Sequence, residues 1–286
     1  MRHDYSGMSW LCDLKIFLPK LLIKEHKSAF ITMELLANPV LETDIIPYHC
    51  FTPPGENVLI IAPHPDDETL GCGGTIRLLI ESKKKVKVLF LTSGDKANPN
   101  LLNSSQSHIT DYSLLREKEA ENALKVLGVS DYEFLRFPDR ELRENYKTVL
   151  EKNLRIFEDY KPDIIYTPSM VELNPDHRTA AKIAMKLQRM HPLLKIAFYE
   201  ITTPVRPNVL IDITSVFNKK KRAIKQYKSQ LKLADYLGHI TALNTIRSLT
   251  LNKAQLVEAF WFVDKPPSDE NIKNWLSYTQ IMNAKS

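Results

Sequence analysis

The sequence predicts an α/β fold, a Rossmann-like three-layer arrangement in which an open, mostly parallel sheet carries helices on both faces. Three observations lead there. Residues 58–62 (Val-Leu-Ile-Ile-Ala) form a continuous β-branched and apolar run, the mark of a strand covered on both sides. Further strand-like runs recur at 86–91, 132–137, 163–167, 194–199 and 209–213. Between them, residues 68–83, 112–127, 145–160 and 176–189 place apolar side chains at helical spacing, and Gly128 is a natural helix stop. Strands alternating with helices of this length imply crossover connections, and such sheets place their ligands at the carboxyl ends of the strands. The loops of interest therefore follow Ala62, Leu91, Phe137 and Thr167.

Composition narrows the class. The 286 residues are 43% hydrophobic and 26% charged, enough to bury a full core. Eight glycines without a triplet or heptad period exclude collagen and long coiled coils, and no longer repeat suggests a solenoid or propeller. Cys12, Cys50 and Cys72 are odd in number and form no CxxC pair, which points to neither a disulfide framework nor a thiolate zinc site and suits a reducing, cytoplasmic compartment. The apolar stretch at 10–23 is broken by Asp13, Lys15, Pro19 and Lys20, so neither a signal peptide nor a membrane helix is expected. Residues 1–54 read as an N-terminal extension, with short helices at 10–24 and 29–37 and a Pro-bearing connector at 47–54, ahead of one domain at 55–286.

The formal charge of +5 is modest, but its distribution is uneven: between Arg206 and Lys253 stand ten Lys/Arg against two acids, Asp212 and Asp235. Residues 219–232 read as a basic helix with Tyr227, Leu231 and Ala234 on its buried side. Its outer face is either simply solvated or meets an anionic group or a membrane periphery. A nucleic-acid partner is not expected from so small an excess.

The chemistry concentrates in two loops. After the first strand comes Pro63-His64-Pro65-Asp66-Asp67-Glu68, an imidazole and three carboxylates within five residues. Crowded carboxylates raise each other's pKa unless a cation offsets the repulsion. A helix N-terminus alone would account for the acids, but not for a histidine between two prolines that stiffen the turn. After residue 167 comes Glu172-Leu-Asn174-Pro-Asp176-His177-Arg178, again a histidine beside an acid. Asn174 and Pro175 read as a helix N-cap and first residue. Two histidines and one aspartate from two loops make a three-ligand N/O set with an open position, as catalytic zinc sites have. Asp66, beside the presumed ligand Asp67, is then the base for an attacking water. Gly71-Cys72-Gly73-Gly74 does not have dinucleotide-binding spacing and reads as close helix packing, with Cys72 a small buried hydrophobe.

Pro-His-Pro-Asp-Asp-Glu with a distal Pro-Asp-His-Arg resembles the LmbE-like, PIG-L family of zinc N-deacetylases. The likeness continues through Thr92-Ser-Gly-Asp95, Arg116-Glu-Lys-Glu-Ala120, Phe137-Pro-Asp139, Tyr199-Glu200 and Val209-Leu-Ile-Asp-Ile-Thr214, covering roughly 58–247. The resemblance implies His64, Asp67 and His177 as ligands of one Zn2+ per chain, or of another divalent metal, and Asp66 as general base. It implies hydrolysis of an N-acetyl group, usually on a glucosamine unit, so the expected partner is a small N-acetyl sugar or glycoconjugate; a homo-oligomer is compatible with it. Many members carry a histidine three residues before the distal ligand, where this chain has Asn174, whose amide can donate only a neutral hydrogen bond to an oxyanion. Glu172 is a candidate acid for the leaving amine, and Arg116, Asp139 and Asp95 match sugar-contacting positions. The alternatives are an amidase acting on another N-acyl or thiol-linked conjugate, and a non-catalytic relative that binds carbohydrate or nucleic acid.

Overall fold

Alternation along the first core strand sets the layering. In the computed structural model, which describes residues 48–50, 52–98, 106–251 and 253–267, strand β2 (Asn57–Ala62) sends Val58, Ile60 and Ala62 into one buried cluster and Leu59 and Ile61 into another. That two-residue period is what a strand covered on both faces requires. The helices expected at 10–24 and 29–37 lie outside the described residues. Within the expected connector, residues Tyr48–Cys50 form a short strand, β1.

After β2 the chain alternates as predicted: α1 (Asp67–Glu81), β3 (Lys85–Thr92), α2 (Gln106–Leu127), β4 (Asp131–Phe137), α3 (Tyr146–Tyr160), β5 (Ile164–Pro168), α4 (Pro175–Met190), β6 (Lys195–Tyr199) and β7 (Val209–Asp212). Helices α5 (Phe217–Ile224), α6 (Lys228–Leu231) and α7 (Tyr236–Arg247) precede a last strand, β8 (Val257–Val263). The sheet order is β1-β7-β8-β6-β5-β2-β3-β4. Among the described residues only β8 runs antiparallel to its neighbours. One core lies between the sheet and α1, α2, α5 and α7, the other between the sheet and α3 and α4. The chain leaves β2 toward β3 and β4, then returns to β5 on the other side of β2. This reversal opens the crevice in which such sheets hold ligands.

Two departures from expectation have physical reasons. β8 was not expected, because it enters antiparallel between β6 and β7 and so breaks the strand-helix alternation from which the other strands are read. The basic stretch at 219–232 is not one helix but α5 and α6, and Lys220 points inward rather than to solvent. Its Nζ lies 2.7 Å from Glu258 Oε1 and 3.0 Å from Asn244 Oδ1, and both charges are fully buried. Glu258 also accepts the N–H groups of Gly74 and Thr75 at 2.8 and 2.7 Å, just after α1 bends at Cys72 (φ −141°). The bend frees those N–H groups, and a buried carboxylate satisfies them.

The small residues of α1 serve close packing, as predicted. A methyl group on Gly71 would meet the Tyr199 ring at 2.2 Å, and Tyr199 is itself fixed by its hydroxyl donating to the Ile61 carbonyl at 2.9 Å. Helix propensity alone says that Gly71→Ala stabilises by about 1 kcal/mol. The ring contact reverses the sign: Gly71→Ala should destabilise the protein by about 1–3 kcal/mol, the cost of overpacking, measured as a lower denaturation midpoint.

Candidate metal centre and active site

The loop after β2 closes on itself before α1 begins. The His64 N–H donates to Asp67 Oδ2 at 2.8 Å, and the Asp67 N–H returns to the His64 carbonyl at 3.3 Å. This fold-back brings His64 Nδ1 to 3.0 Å from the same Asp67 oxygen. From the loop after β5, Asn174 caps α4 by accepting the Asp176 N–H at 2.8 Å, with Pro175 in the first helical position. The first turn of α4 then delivers His177, whose Nε2 lies 3.2 Å from Asp67 Oδ2 and 3.3 Å from His64 Nδ1. Three buried donor atoms from two loops thus face one point, mutually within 4.8 Å.

Each imidazole is backed by carboxylates on its other nitrogen. His64 Nε2 faces Asp139 Oδ1 at 3.1 Å and Asp176 Oδ2 at 3.4 Å. His177 Nδ1 faces Glu172 Oε2 at 3.6 Å, a longer contact that leaves this buried nitrogen without a hydrogen bond of normal length. These carboxylates are held in turn. Asp176 accepts the N–H groups of Arg140 (2.6 Å) and Leu142 (3.2 Å). Glu172 accepts those of Ile201, Thr202 and Thr203 at 2.8–3.2 Å. Asp95 accepts the Asp139 N–H at 3.0 Å. Carboxylates behind metal-binding histidines fix the ring tautomer and raise its basicity. A second triplet, His64 with Asp139 and Asp176, also has metal-ligand spacing, but Asp176 already serves two backbone donors there.

Asp66 stands beside this cluster with a different environment. Its φ of 136° is one that side-chain-bearing residues rarely adopt, at a cost on the order of 1–3 kcal/mol that surrounding contacts must hold. Its Oδ2 is paired with Arg116 Nη2 at 3.1 Å. Arg116 is 2% exposed and also donates to the Gly94 carbonyl (2.9 Å) and the Pro65 carbonyl (2.6 Å). Gly94 must be glycine: its φ is +61°, and a Cβ there would stand 2.1 Å from the guanidinium.

Burial and charge drive the titrating groups apart. Burial pushes the Asp66 carboxyl up to about 7, against the downward pull of Arg116. Burial also pushes Asp67 up, but His177 and His64 outweigh it and hold the carboxyl well below its ordinary range. Burial pulls both imidazoles down, yet Asp67 and the backing carboxylates dominate, placing His64 well above its usual value and His177 at about 9. Without a cation at the centre, the imidazoles themselves are driven to become cations. A ring of acids with two nitrogen donors turned inward is the donor set of a divalent metal site.

The opening above these groups is a pocket of about 230 Å³, lined by Asp66, Asp67, Arg116, Asp139, Asn174 and His177, with Tyr236 and Gln230 from the late helical segment. The structure therefore brings together His64, Asp66, Asp67, Asn174 and His177. It gives other work to four residues singled out from sequence. Glu172, considered as an acid for a leaving amine, lies behind His177 with its oxygens occupied by the 201–203 backbone. Arg116, Asp139 and Asp95, expected as sugar contacts, hold Asp66, His64 and the Asp139 backbone respectively, while Arg116 and Asp139 also line the pocket. Asp176, which the sequence leaves as either a partner to a neighbouring charge or a helix-start acid, is fully buried against His64. No local signal separates that role from helix capping, since both put an acid in the first turn.

Residues 59–188 match the family described as GlcNAc-PI de-N-acetylase, PIG-L. The chain is 29% identical over 201 residues to the diacetylchitobiose deacetylase of Thermococcus kodakarensis, covering 61% of this chain and 70% of that one. It is 29% identical over 215 residues to a probable N-acetyl-alpha-D-glucosaminyl L-malate deacetylase 2 of Bacillus cereus, covering 72% and 96%. The crystal structure of N,N'-diacetylchitobiose deacetylase from Pyrococcus horikoshii superimposes with a TM-score of 0.62 at 25% identity, covering 83% of this chain and 93% of that one. Among the described residues no helix is long and apolar enough to cross a membrane.

If the inward-facing triplet takes a divalent ion, zinc added to metal-stripped protein should raise its thermal midpoint. At an ion concentration 100 times the Kd the gain is about 2.7 kcal/mol. The same titration on His177→Ala should show most of that increment lost, as read by calorimetry.

Proposed function

This chain belongs to the PIG-L, or LmbE-like, family of deacetylases, and from that premise we propose that it is a zinc-dependent hydrolase removing the N-acetyl group from an N-acetylglucosamine-type amino sugar or its conjugate. The observation that carries the reading is the meeting of His64 Nδ1, Asp67 Oδ2 and His177 Nε2 at one point, with the Asp66 carboxylate beside it in the same pocket. The catalytic domain is taken as 55–286, to which β1 adds a strand.

The residues fit the ion. Each imidazole turns one nitrogen inward and the other to a carboxylate, and three ligands leave a position open, as a catalytic site needs. Zinc bound there supplies Lewis acidity, polarising an amide carbonyl and bringing the pKa of a water toward about 7. The remaining work falls to the chain. Asp66, buried beside the triplet in the same pocket, can take the proton of the attacking water and return it to the departing nitrogen. Arg116 keeps that carboxylate in one orientation. Asn174 spends Oδ1 on its capping bond, so its side-chain NH2 is the group it offers to the acyl oxygen as negative charge develops.

In this reading Glu172 and Asp176 position the histidines rather than touch substrate, Asp139 backs His64 from the pocket wall where a sugar hydroxyl can also reach it, and the leaving nitrogen receives its proton from Asp66. The polar pocket suits the amide and the sugar that bears it. A neighbouring apolar groove of about 570 Å³ shares Ile201, Thr202 and Tyr236 with that pocket, and it leaves room for whatever the sugar is joined to.

The test is amine and acetate release from N-acetylglucosamine, N,N'-diacetylchitobiose and a panel of glycosides, with and without zinc. Asp66→Asn should keep one zinc per chain and the native fold while kcat falls by about 10²–10⁴, the usual contribution of a general base. Full turnover in Asp66→Asn would refute the base assignment. Release of a carboxylic acid other than acetate would refute the acyl specificity.

A further inference from the structure

Glu68 is the acid of the first loop that the proposed reaction leaves without a task, and it is the most deeply buried of the three, at 0% exposure. Its place in the first turn of α1 would explain a negative charge, but not where its two oxygens point. Oε2 turns back to accept the Asp66 N–H at 3.2 Å. Oε1 accepts the Tyr227 hydroxyl at 2.5 Å and also that of Thr69. Tyr227 is 2% exposed and lies between α5 and α6, 159 residues away in the chain.

The residue at the end of this relay is the one with the improbable backbone. Asp66 sits at φ 136°, and a conformation of that kind persists only where its surroundings over-determine it. Arg116 grips the Asp66 carboxylate and the Pro65 carbonyl, and the Asp66 carbonyl accepts the Thr69 and Leu70 N–H groups at 3.1 and 2.9 Å. Glu68 adds the anchor on the Asp66 N–H, and Tyr227 fixes Glu68.

We propose that Glu68 and Tyr227 are positioning residues for Asp66, and that the chain of hydrogen bonds from the Tyr227 hydroxyl through Glu68 to the Asp66 N–H holds this carboxylate in its working orientation. The inference rests on the reading of Asp66 as the base. It also gives the segment containing α5 and α6 a function that its exposed lysines conceal: it braces the active site from behind.

The experiment compares zinc-loaded wild type, Tyr227→Phe, Glu68→Gln, Glu68→Ala, Asp66→Asn and the Tyr227→Phe/Asp66→Asn double variant. The measurements are kcat and KM on an N-acetylglucosamine substrate, zinc per chain, and thermal midpoint. Tyr227→Phe keeps the buried ring and removes one hydroxyl. It should lower kcat about tenfold, the scale of one lost charge-assisted hydrogen bond, with KM and zinc content unchanged. Glu68→Gln, which keeps an acceptor for the Asp66 N–H, should lose less than Glu68→Ala. In the double variant the hydroxyl should no longer matter, since its effect runs through a carboxylate already removed.

Unchanged kcat in Tyr227→Phe overturns the proposal, as does an equal tenfold loss from the same change in the Asp66→Asn background. Loss of zinc in Tyr227→Phe or Glu68→Gln would place the relay behind the metal ligands instead and also overturns it. Full turnover in Asp66→Asn alone overturns the assignment of the base, whatever Tyr227→Phe does, so the two failures are told apart.

Discussion

A single carboxylate oxygen, Asp67 Oδ2, lies within 3.2 Å of a backbone N–H and of two imidazole nitrogens, and the surrounding structure is arranged to tolerate that. The acids around it, Asp66, Glu68, Asp139, Glu172 and Asp176, are all at most 7% exposed. Burying so many carboxylates without countercharge is prohibitive. They are balanced by four means: Arg116 on Asp66, backbone N–H groups on Asp176 and Glu172, hydroxyls and an N–H on Glu68, and the two imidazoles at the centre. The centre is the part left to a cation, and the preference for positive charge there follows from what encloses it.

The fold provides this enclosure by topology. Because the chain reverses direction across β2 and β5, the loops after those two strands meet at one edge, and the loops after β3 and β4 close around them. The Thr92–Asp95 turn receives Arg116 and holds Asp139, while the Phe137–Leu142 turn is tied to Asp176. Four strand ends thus contribute to one site, although only two of them bear the inward-facing triplet.

The parts legible in the sequence were those that depend on local pattern. Val58 to Ala62 announces a doubly covered strand, and the motif from Pro63 to Glu68 is too dense in chemistry to be only a helix start. Asn174-Pro175 marks a helix boundary without knowledge of the fold. What remained hidden depends on partners distant in the chain. Glu172 reads as a candidate acid for the leaving amine until the 201–203 backbone closes over its oxygens. Lys220 reads as one more surface lysine until Glu258 is placed beside it, and Tyr227 could be read as buried but not as bound to Glu68. The identity of such pairs is set by three-dimensional neighbours that neither periodicity nor composition encodes.

The position of β8 bears on how the molecule is assembled. Among the described residues, β7 and β1 reach the rest of the sheet only through β8, so both must wait for a segment made some 45 residues after β7. Until Val257–Val263 inserts, the growing chain exposes the edge of β6 as an unpaired template. Such non-local closure slows folding and leaves nascent strands open to wrong partners. A ribosome-bound chain lacking β8 has a sheet divided in two, and it also lacks Glu258, so Lys220 and the bend in the helix after the first loop go without their buried partner.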